Sequence, residues 1–248
     1  MPTAWIGTSG WSYKHWESTF YPDKQAARDH LPFLASHFPT VEINYSYYRL
    51  PERKTFEDWR RRAPDGFLFA VKASRYLTHM KKLQDPDEPL QRLLHNAGGL
   101  GEKFGPLLFQ FPRRWAVDLV RLAEFLDALR AYPVRRYAFE FRHQSWLTDA
   151  VYERLRASNA ALCMPIGWGI PIDIQVTADW TYLRFHGGQH GTGFEDGELW
   201  PWAERIRGWR DQGLDSYSYF NNDTLWHGRP AAIDNARRLR EMVGNGPT

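Results

Sequence analysis

The stretch "PLLFQFPRRWAVDLVRLAEFLDALRAYPVRRYAFEFR", residues 106–142, decides the fold because it reads as a strand, a helix and a strand in succession. Short runs rich in β-forming residues stand at its two ends, "PLLFQFP" from residue 106 and "YAFEFR" from residue 137. Between them, "VDLVRLAEFLDALRA" places its apolar side chains at helical spacing, with the charges mostly on the opposite side. The apolar positions are Val117, Val120, Leu122, Phe125, Leu126 and Leu129. The stretch therefore predicts a helix that packs on a sheet.

The same unit recurs along the whole chain. Further strands are predicted in "AWIGTSG" near residue 4, "TVEINYSYY" from 40, "FLFAVKAS" from 67, "ALCMPIG" from 161, "TYLRFHG" from 181 and "SYSYFNND" from 216. Helical patterns lie between most of these strands, and "AAIDNARRLREMV" closes the series. Eight such units predict a (β/α)₈ TIM barrel of the α/β class, with residues 1–248 as one domain.

One connection departs from this pattern. The stretch "WGIPIDIQVTADW" has no helical period, which predicts an irregular connection between strands six and seven. A doubly wound open sheet is the alternative fold. It is less favoured because "GTSGWSYKHW", after the first strand, lacks the glycine spacing of a dinucleotide-binding turn.

Composition excludes several classes of protein. With 43% hydrophobic and 25% charged residues, the chain has an ordinary globular balance. Its 32 basic and 29 acidic residues are too evenly dispersed to indicate the basic stripe of a nucleic-acid binder. The single cysteine, Cys163, excludes an internal disulfide and a thiolate-rich zinc site. Neither a signal peptide nor an apolar run of about 20 residues is recognisable, so we expect a cytoplasmic protein without a membrane partner.

Polar side chains fall at the C-terminal ends of the predicted strands, where barrels of this class carry their chemistry. Within a strand they keep a two-residue spacing, as in Glu140 and Arg142, which places both side chains on one face. We therefore expect them to meet in one pocket at the C-terminal mouth. A purely structural layer of ion pairs, such as Lys72 with Glu42, is the alternative interpretation.

The residue types in this pocket indicate acid–base chemistry on a small anionic or polyhydroxylated ligand. Glu42 or Glu140 is the expected general acid or base, and His186 the expected proton shuttle. The expected substrate-binding residues are Trp11, Tyr13, Asn44, Lys72, Gln110, Arg142, His143, Trp146, Arg184, Asn222 and Asp223. A loop histidine such as His79 is more typical of a cap or a surface group. We predict that sulfate, phosphate or a carboxylate binds near Arg142, Arg184 and the glycine-rich loop "HGGQHGTGFEDGE".

Two other functions stay open. A metal-assisted isomerase or phosphodiesterase is possible by analogy of fold, but no HExxH-like spacing supports it, and we predict no metal and no cofactor. A non-catalytic module could bind nucleic acid through the rings of "GTSGWSYKHW" and the run "RRR" at residues 60–62. That run lies on a predicted outer helix and is more typical of a solvated face, so nucleic acid is not favoured.

The chain resembles the YecE-like family, a domain of unknown function. The resemblance rests on "GTSGWSYKHW" with "FYP" at 20–22, "VEINYSYYRLP", "FAVKAS" followed by "TH" at 78, "GPLLFQFP", "FEFRHQSW", "RFHG" and "YFNND" followed by "NA" at 235. It implies a TIM barrel and no established reaction, substrate or cofactor. The chain has "NYSYY" where a "TFY"-like ending is commoner, which affects the aromatic contact of the second strand.

Overall fold

Eight parallel strands close into a barrel in sequence order, with the last strand paired to the first. The structure is a computed structural model that describes residues 1–132 and 136–244. The strands are β1 (Ala4–Ser9), β2 (Thr40–Ile43), β3 (Leu68–Lys72), β4 (Phe104–Gln110), β5 (Tyr137–Glu140), β6 (Ala161–Gly167), β7 (Trp180–Gly187) and β8 (Asp215–Phe220). The predicted (β/α)₈ barrel is confirmed. The predicted domain extends to residue 248, and its residues 133–135 and 245–248 lie outside the described part.

Helices follow most strands and cover the outside of the barrel. They are α1 (His30–Ala35), α2 (Tyr45–Tyr48), α3 (Arg53–Arg62), α4 (Asp87–Ala97), α5 (Leu119–Leu129), α6 (Asp149–Ala157), α7 (Asp196–Asp211) and α8 (Ala231–Val243). A π-helical turn, Tyr76–Met80, follows β3. No helix lies in the described connection between β6 and β7, as predicted. Within residues 1–132 and 136–244, none of the helices combines the length and apolar character that crossing a membrane requires.

Several predicted strands run past the observed ends, two of them by three residues or more. The run "NYSYY" was expected to continue β2, but β2 ends at Ile43 and Tyr45–Tyr48 form the short helix α2. The turn is held by Ser46, whose hydroxyl donates to the backbone oxygens of Ile43 at 3.1 Å and Lys72 at 2.6 Å. Strand β8 likewise ends at Phe220, so the "NND" that follows belongs to a loop.

The barrel interior explains where the polar residues lie. Buried apolar side chains inside the barrel include Ala70, Leu108, Ala138 and Tyr182. Each stands two residues before a polar residue at its strand end, namely Lys72, Gln110, Glu140 and Arg184. Because side chains alternate along a strand, these polar groups continue the inward columns toward the C-terminal mouth.

Candidate functional site

A fully buried guanidinium joins two carboxylates near the C-terminal end of the barrel interior. Arg184 on β7 donates from Nη2 and Nε to Oε1 of Glu42 on β2, at 2.8 and 3.2 Å. Its Nη1 donates to Oε2 of Glu140 on β5 at 2.7 Å. All three side chains are at most 1% exposed. Buried charges are tolerated when they are paired. In this triad the guanidinium of Arg184 pairs with both carboxylates.

The two carboxylates stay ionised. Burial raises the pKa of Glu42, but the Arg184 charge and hydrogen bonds from Ser9, Tyr182 and Arg184 outweigh it, and the net pKa is lowered. For Glu140, burial is outweighed by the charges of Arg142 and Arg184, which hold the pKa well below its usual range. Carboxylates bound on several sides and ionised at neutral pH are poor proton carriers. The geometry therefore favours a positioning role for both.

Arg142 and His186 extend the network toward solvent. Arg142 Nε forms an ion pair with Glu140 Oε1, and its Nη2 lies 2.9 Å from His186 Nε2. Because a guanidinium only donates, Nε2 must accept. Burial lowers the pKa of His186 to about 4, so the neutral ring carries its one proton on Nδ1. That atom lies 3.2 Å from Nδ2 of Asn221, an amide nitrogen that also donates, and reversing the amide would turn its oxygen toward the ring proton.

Lys72 ends β3 beside this network and has no carboxylate partner in the part of the chain that the structure describes. It is 6% exposed, and its Nζ lies 4.1 Å from the centroid of the Tyr47 ring. Its ammonium forms no ion pair or side-chain hydrogen bond within residues 1–132 and 136–244. Burial, and then the Arg184 charge, lower its pKa to about 7, while Glu140 and Glu42 oppose the shift. Lys72 is therefore a group of this site whose protonation changes near neutral pH.

A short hydrogen-bonded chain lies next to Lys72. His79 Nε2 is 3.1 Å from the hydroxyl of Tyr47, and His79 Nδ1 is 2.9 Å from Thr78 Oγ1. Thr78 donates its own proton to the backbone oxygen of Ser74 at 3.1 Å, so it accepts from His79 Nδ1. The Nε2 atom then accepts from Tyr47. Burial and the Lys72 charge lower the pKa of His79 to about 4, which keeps its ring neutral.

The larger of two neighbouring clefts at the mouth, with a volume of about 590 Å³, is lined mainly by aromatic rings and amides. Its lining residues are Gly10, Trp11, Ser12, Tyr13, Asn44, Tyr45, Tyr48, Trp59, Asn221 and Asp223. The rings of Trp11 and Trp59 meet edge to face at 5.1 Å. Tyr13 is fixed by donating to the backbone oxygen of Ser9 at 2.6 Å. This aromatic cleft offers flat surfaces for stacking beside polar groups that can bind hydroxyls.

The second cleft, of about 370 Å³, is basic. Its lining residues are Arg113, Arg142, Gly167, Trp168, Ile170, His186, Gly187, Gly188, Gln189 and Gly191. Arg113 is exposed and has no acidic partner among the residues that the structure describes. Asn221 lines the aromatic cleft and contacts His186, which lines this arginine cleft. The two clefts are therefore neighbours, in contact through Asn221 and His186.

The glycine-rich loop after β7 forms one wall of the arginine cleft. A Cβ atom at Gly193 would lie 1.9 Å from the ring of Trp226, so this position has no room for a side chain. Glu198 in α7 accepts from the backbone N–H of Gln189 at 2.7 Å and of Glu195 at 2.8 Å. The loop is thus attached to the N-terminal end of α7.

Six of the eleven predicted binding residues line neither cleft, namely Lys72, Gln110, His143, Trp146, Arg184 and Asn222. Trp146 is fully buried, with its ring stacked on Phe141 at 4.6 Å and its Nε1 donating to the backbone oxygen of Trp115. His143 caps a 3-10 turn, where its Nδ1 accepts from the backbone N–H of Ser145. The contacts of Trp146 and His143 are those of packing and capping groups, so we do not include these two residues in the proposed binding site.

Three others are held by protein groups. Asn222 is 4% exposed and donates to Thr192 O at 2.7 Å, which fixes the glycine-rich loop. Gln110 is half-buried and donates to the backbone oxygen of Phe111 at 3.0 Å. Arg184 was expected to bind an anion. Its side chain is 1% exposed and already donates hydrogen bonds to Glu42 and Glu140, so its guanidinium does not face either cleft.

Sequence reasoning missed Arg113 and Tyr47. Arg113 follows β4 in "FQFPRRW", so the strand-end rule that selected Arg142 could have found it. Tyr47 could not be found that way because its segment was read as a strand. No group of three or more His, Cys, Asp or Glu side chains is arranged to hold a metal ion in the described ranges.

Comparisons with known proteins agree on one family. The family model described as "Protein of unknown function DUF72" matches residues 5–248. UPF0759 protein YunF of Bacillus subtilis is 26% identical over 277 residues, which cover 96% of this chain and 94% of that protein. UPF0759 protein YecE of Escherichia coli is 26% identical over 151 residues, which cover 60% of this chain and 52% of YecE. These matches confirm the resemblance found in the sequence.

A solved structure is similar over nearly the whole chain. The crystal structure of a DUF72 family protein from Thermotoga maritima superposes with a TM-score of 0.82 at 28% identity, covering 97% of this chain and 99% of that chain. A DUF72 family protein from Enterococcus faecalis has the same TM-score at 18% identity and shares the fold. None of these descriptions gives a substrate or a reaction.

Proposed function

The chain belongs to the DUF72 family, a family of unknown function, and from its site we propose that it is an enzyme that binds a small anionic substrate and transfers protons at the C-terminal mouth of the barrel. The observation that carries this proposal is the arginine cleft. There Arg113, which is exposed and has no ion pair among the described residues, and the partly exposed Arg142 face the same space as the glycine-rich loop. Planar guanidinium forks suit the oxygens of a carboxylate, phosphate or sulfate.

Lys72 is the proton carrier in this proposal. A general acid or base works best when its pKa is near the working pH, and burial lowers the pKa of Lys72 to about 7. Glu42 and Glu140 are ionised and bound to Arg184, so they hold the site in shape. His186 is neutral and lines the arginine cleft, where it can exchange hydrogen bonds with a bound substrate.

The aromatic cleft supports a substrate with a flat or hydroxylated part next to its anionic group. Trp11 and Tyr13 offer ring faces, while Asn44 and Asp223 offer groups that bind hydroxyls. The contact between Asn221 and His186 makes the two clefts neighbours. The metal-assisted alternative has less support, because the two most deeply buried carboxylates of the site are bound by arginines.

A thermal-shift experiment with sulfate tests the binding step. We expect sulfate at pH 6.5 to raise the melting temperature of the wild-type protein, because a ligand of the native state stabilises it. At a hundredfold excess over Kd the gain is about 2.7 kcal/mol, or roughly 5–10 °C for a chain of this size. Arg113→Ala should lose most of this gain.

The neighbouring arginine provides the matched control. Arg114 is also exposed but does not line the cleft, so Arg114→Ala should respond to sulfate like the wild type. Sodium chloride at equal ionic strength corrects for screening. Equal responses of all three proteins, or none in any of them, would contradict an anion site at Arg113.

A further inference from the structure

We propose that Lys72 is also the nucleophile of this site and forms an imine with the carbonyl carbon of a small aldehyde or ketone that carries an anionic group. This inference rests on the proposed function, since the arginine cleft would hold the anionic group. It narrows the substrate class to carbonyl compounds and gives Lys72 a covalent role.

Comparison with a second buried lysine shows what distinguishes Lys72. Lys72 and Lys103 are both 6% exposed. The Nζ of Lys103 donates to the backbone oxygens of Arg60 at 2.9 Å and Ala63 at 2.7 Å, so its ammonium form is satisfied. Among the described residues, the Nζ of Lys72 forms no hydrogen bond or ion pair, and it lies over the face of the Tyr47 ring. An amine buried without acceptors is the arrangement that leaves a lone pair available for attack.

Charged groups from several strands act on Lys72. Arg184 on β7 and Arg142 after β5 disfavour its ammonium form, whereas Glu42 and Glu140 favour it. The Tyr47 ring face also favours the ammonium form, and the neutral His79 adds no charge. Burial and Arg184 prevail, and the pKa falls to about 7. About half of the Lys72 side chains are then neutral at pH 7, whereas an ordinary lysine is almost entirely protonated.

The proposed step balances without a further reactant. The Lys72 nitrogen lone pair forms a C–N bond to the carbonyl carbon, and the carbonyl π electrons move to oxygen, giving a carbinolamine after proton transfer from nitrogen to oxygen. The carbinolamine oxygen then takes up a second proton and leaves as water, which gives an iminium ion, and loss of the remaining N–H proton gives the imine and restores the proton that was consumed. The overall change is amine plus carbonyl giving imine plus water, with no oxidation or reduction.

Tyr47 is placed to supply the proton for the departing water. Its ring contacts the Lys72 ammonium, and its hydroxyl is hydrogen-bonded to His79. Because His79 accepts from Tyr47 and donates to Thr78, the three form a chain through which a proton can be exchanged. We therefore expect Tyr47→Phe, which retains the ring, to slow imine formation several-fold while Lys72 remains reactive.

Reductive trapping with glyoxylate, a small anionic aldehyde, tests the proposal. The protein is treated at pH 7 with glyoxylate and cyanoborohydride, which reduces an imine to a stable amine, and labelled lysines are located by peptide mass spectrometry. We expect Lys72 to be labelled roughly tenfold or more faster than exposed lysines such as Lys14 and Lys24, because far more of it is neutral. Lys103 should remain unlabelled.

Two controls connect the label to the site. Sulfate should protect Lys72, because it competes for the arginine cleft, and should leave the labelling of Lys14 and Lys24 unchanged. Lys72→Met should remove the fast label and keep the remaining ones. These results would support the proposal.

Failure of this inference can be separated from failure of the proposed function. If Lys72 is labelled no faster than Lys14 while sulfate still stabilises the protein through Arg113, then the imine role is wrong and the anion-binding function remains. If sulfate also has no effect, both are wrong. If Lys72 is labelled fast but sulfate gives no protection, the amine is reactive without an anion site, and the link to an anionic carbonyl substrate is overturned.

Discussion

At the scale of single residues, the burial of Lys72 lowers the stability of the folded protein. Its pKa is lowered from 10.5 to about 7 on folding, so the unfolded chain binds more protons at this position between those two values. Stability therefore rises with pH through that window as far as Lys72 is concerned. Below pH 7 the folded protein carries the full cost of a buried ammonium.

Replacing Lys72 with methionine should thus stabilise the protein, most at low pH. At pH 6 we expect a gain of roughly 2–4 kcal/mol, which is a rise in melting temperature of roughly 4–16 °C. The gain should shrink by roughly half by pH 9, because the wild-type lysine is then neutral when folded. Urea unfolding of both proteins at pH 6 and pH 9 measures the difference.

Lys103→Met is the matched control for this prediction. It leaves two backbone oxygens without their donor, so it should destabilise the protein, by roughly 1–3 kcal/mol. A destabilised Lys72→Met variant, or a gain that does not vary with pH, would show that the ammonium of Lys72 is well satisfied in the folded state.

The sequence located most of these side chains but could not assign their partners. Strand-end position and two-residue spacing placed Glu42, Lys72, Glu140 and Arg184 at one mouth. The pairing of each lysine or arginine with a carboxylate depends on the relative register of strands that are far apart in sequence. Arg184 on β7 and Glu42 on β2 are an example. A structural pairing of Lys72 with Glu42 was therefore as plausible as the observed one, in which Arg184 takes both carboxylates.

At the scale of elements, the glycine-rich loop depends on the start of α7. Glu198 is the residue through which the helix holds the loop, because its two carboxylate oxygens bind the backbone N–H groups of Gln189 and Glu195. The bond from Glu195 belongs to a capping box at the N-terminus of α7, and the bond from Gln189 connects the loop to that helix end. Glu198 therefore helps to position the loop wall of the arginine cleft, together with Asn222 and Asn235.

Glu198→Ala should loosen this wall. We expect amide hydrogen exchange in residues 188–194 to become faster and sulfate affinity to fall several-fold, with a loss of global stability of only about 1 kcal/mol. Glu204→Ala, on the exposed side of the same helix, is the control. If exchange in the loop is unchanged in Glu198→Ala, the loop is held by its other contacts, chiefly those of Asn222 and Asn235.

Element boundaries were the part of the fold that the sequence predicted least well. The aromatic run after β2 favours a strand by local propensity, yet it forms α2. The deciding contact is tertiary, since Ser46 donates to the backbone oxygen of Lys72 on the adjacent strand. Local propensity cannot include a bond to a residue that only the closed barrel brings near. The strand–helix unit at 106–142 was read correctly because its periodic pattern is long.

At the scale of the whole molecule, barrel closure concentrates charges from β2, β3, β5 and β7 around one mouth. Lys72, Arg142 and Arg184 contribute three positive charges and Glu42 and Glu140 two negative ones when all are ionised, which leaves one net positive charge. His79 and His186 have pKa values of about 4 and are neutral. Above pH 7 Lys72 loses its proton, and the net charge of this group becomes zero.

Sulfate binding should therefore weaken as pH rises through 7. Sulfate is the suitable probe because its own charge does not change in this range, whereas that of phosphate does. Between pH 6.5 and 8.5 we expect its Kd to rise roughly three- to tenfold, which corresponds to the loss of one partly screened positive charge near the anion. Titration calorimetry at the two pH values measures this, and Lys72→Met should show little of the change.

Other ionisable groups, such as His190 in the loop, are common to both proteins, so the difference between them reports on Lys72. By linkage, bound sulfate must also raise the pKa of Lys72, and equal pH dependence in both proteins would show that the charge of Lys72 does not act on the arginine cleft.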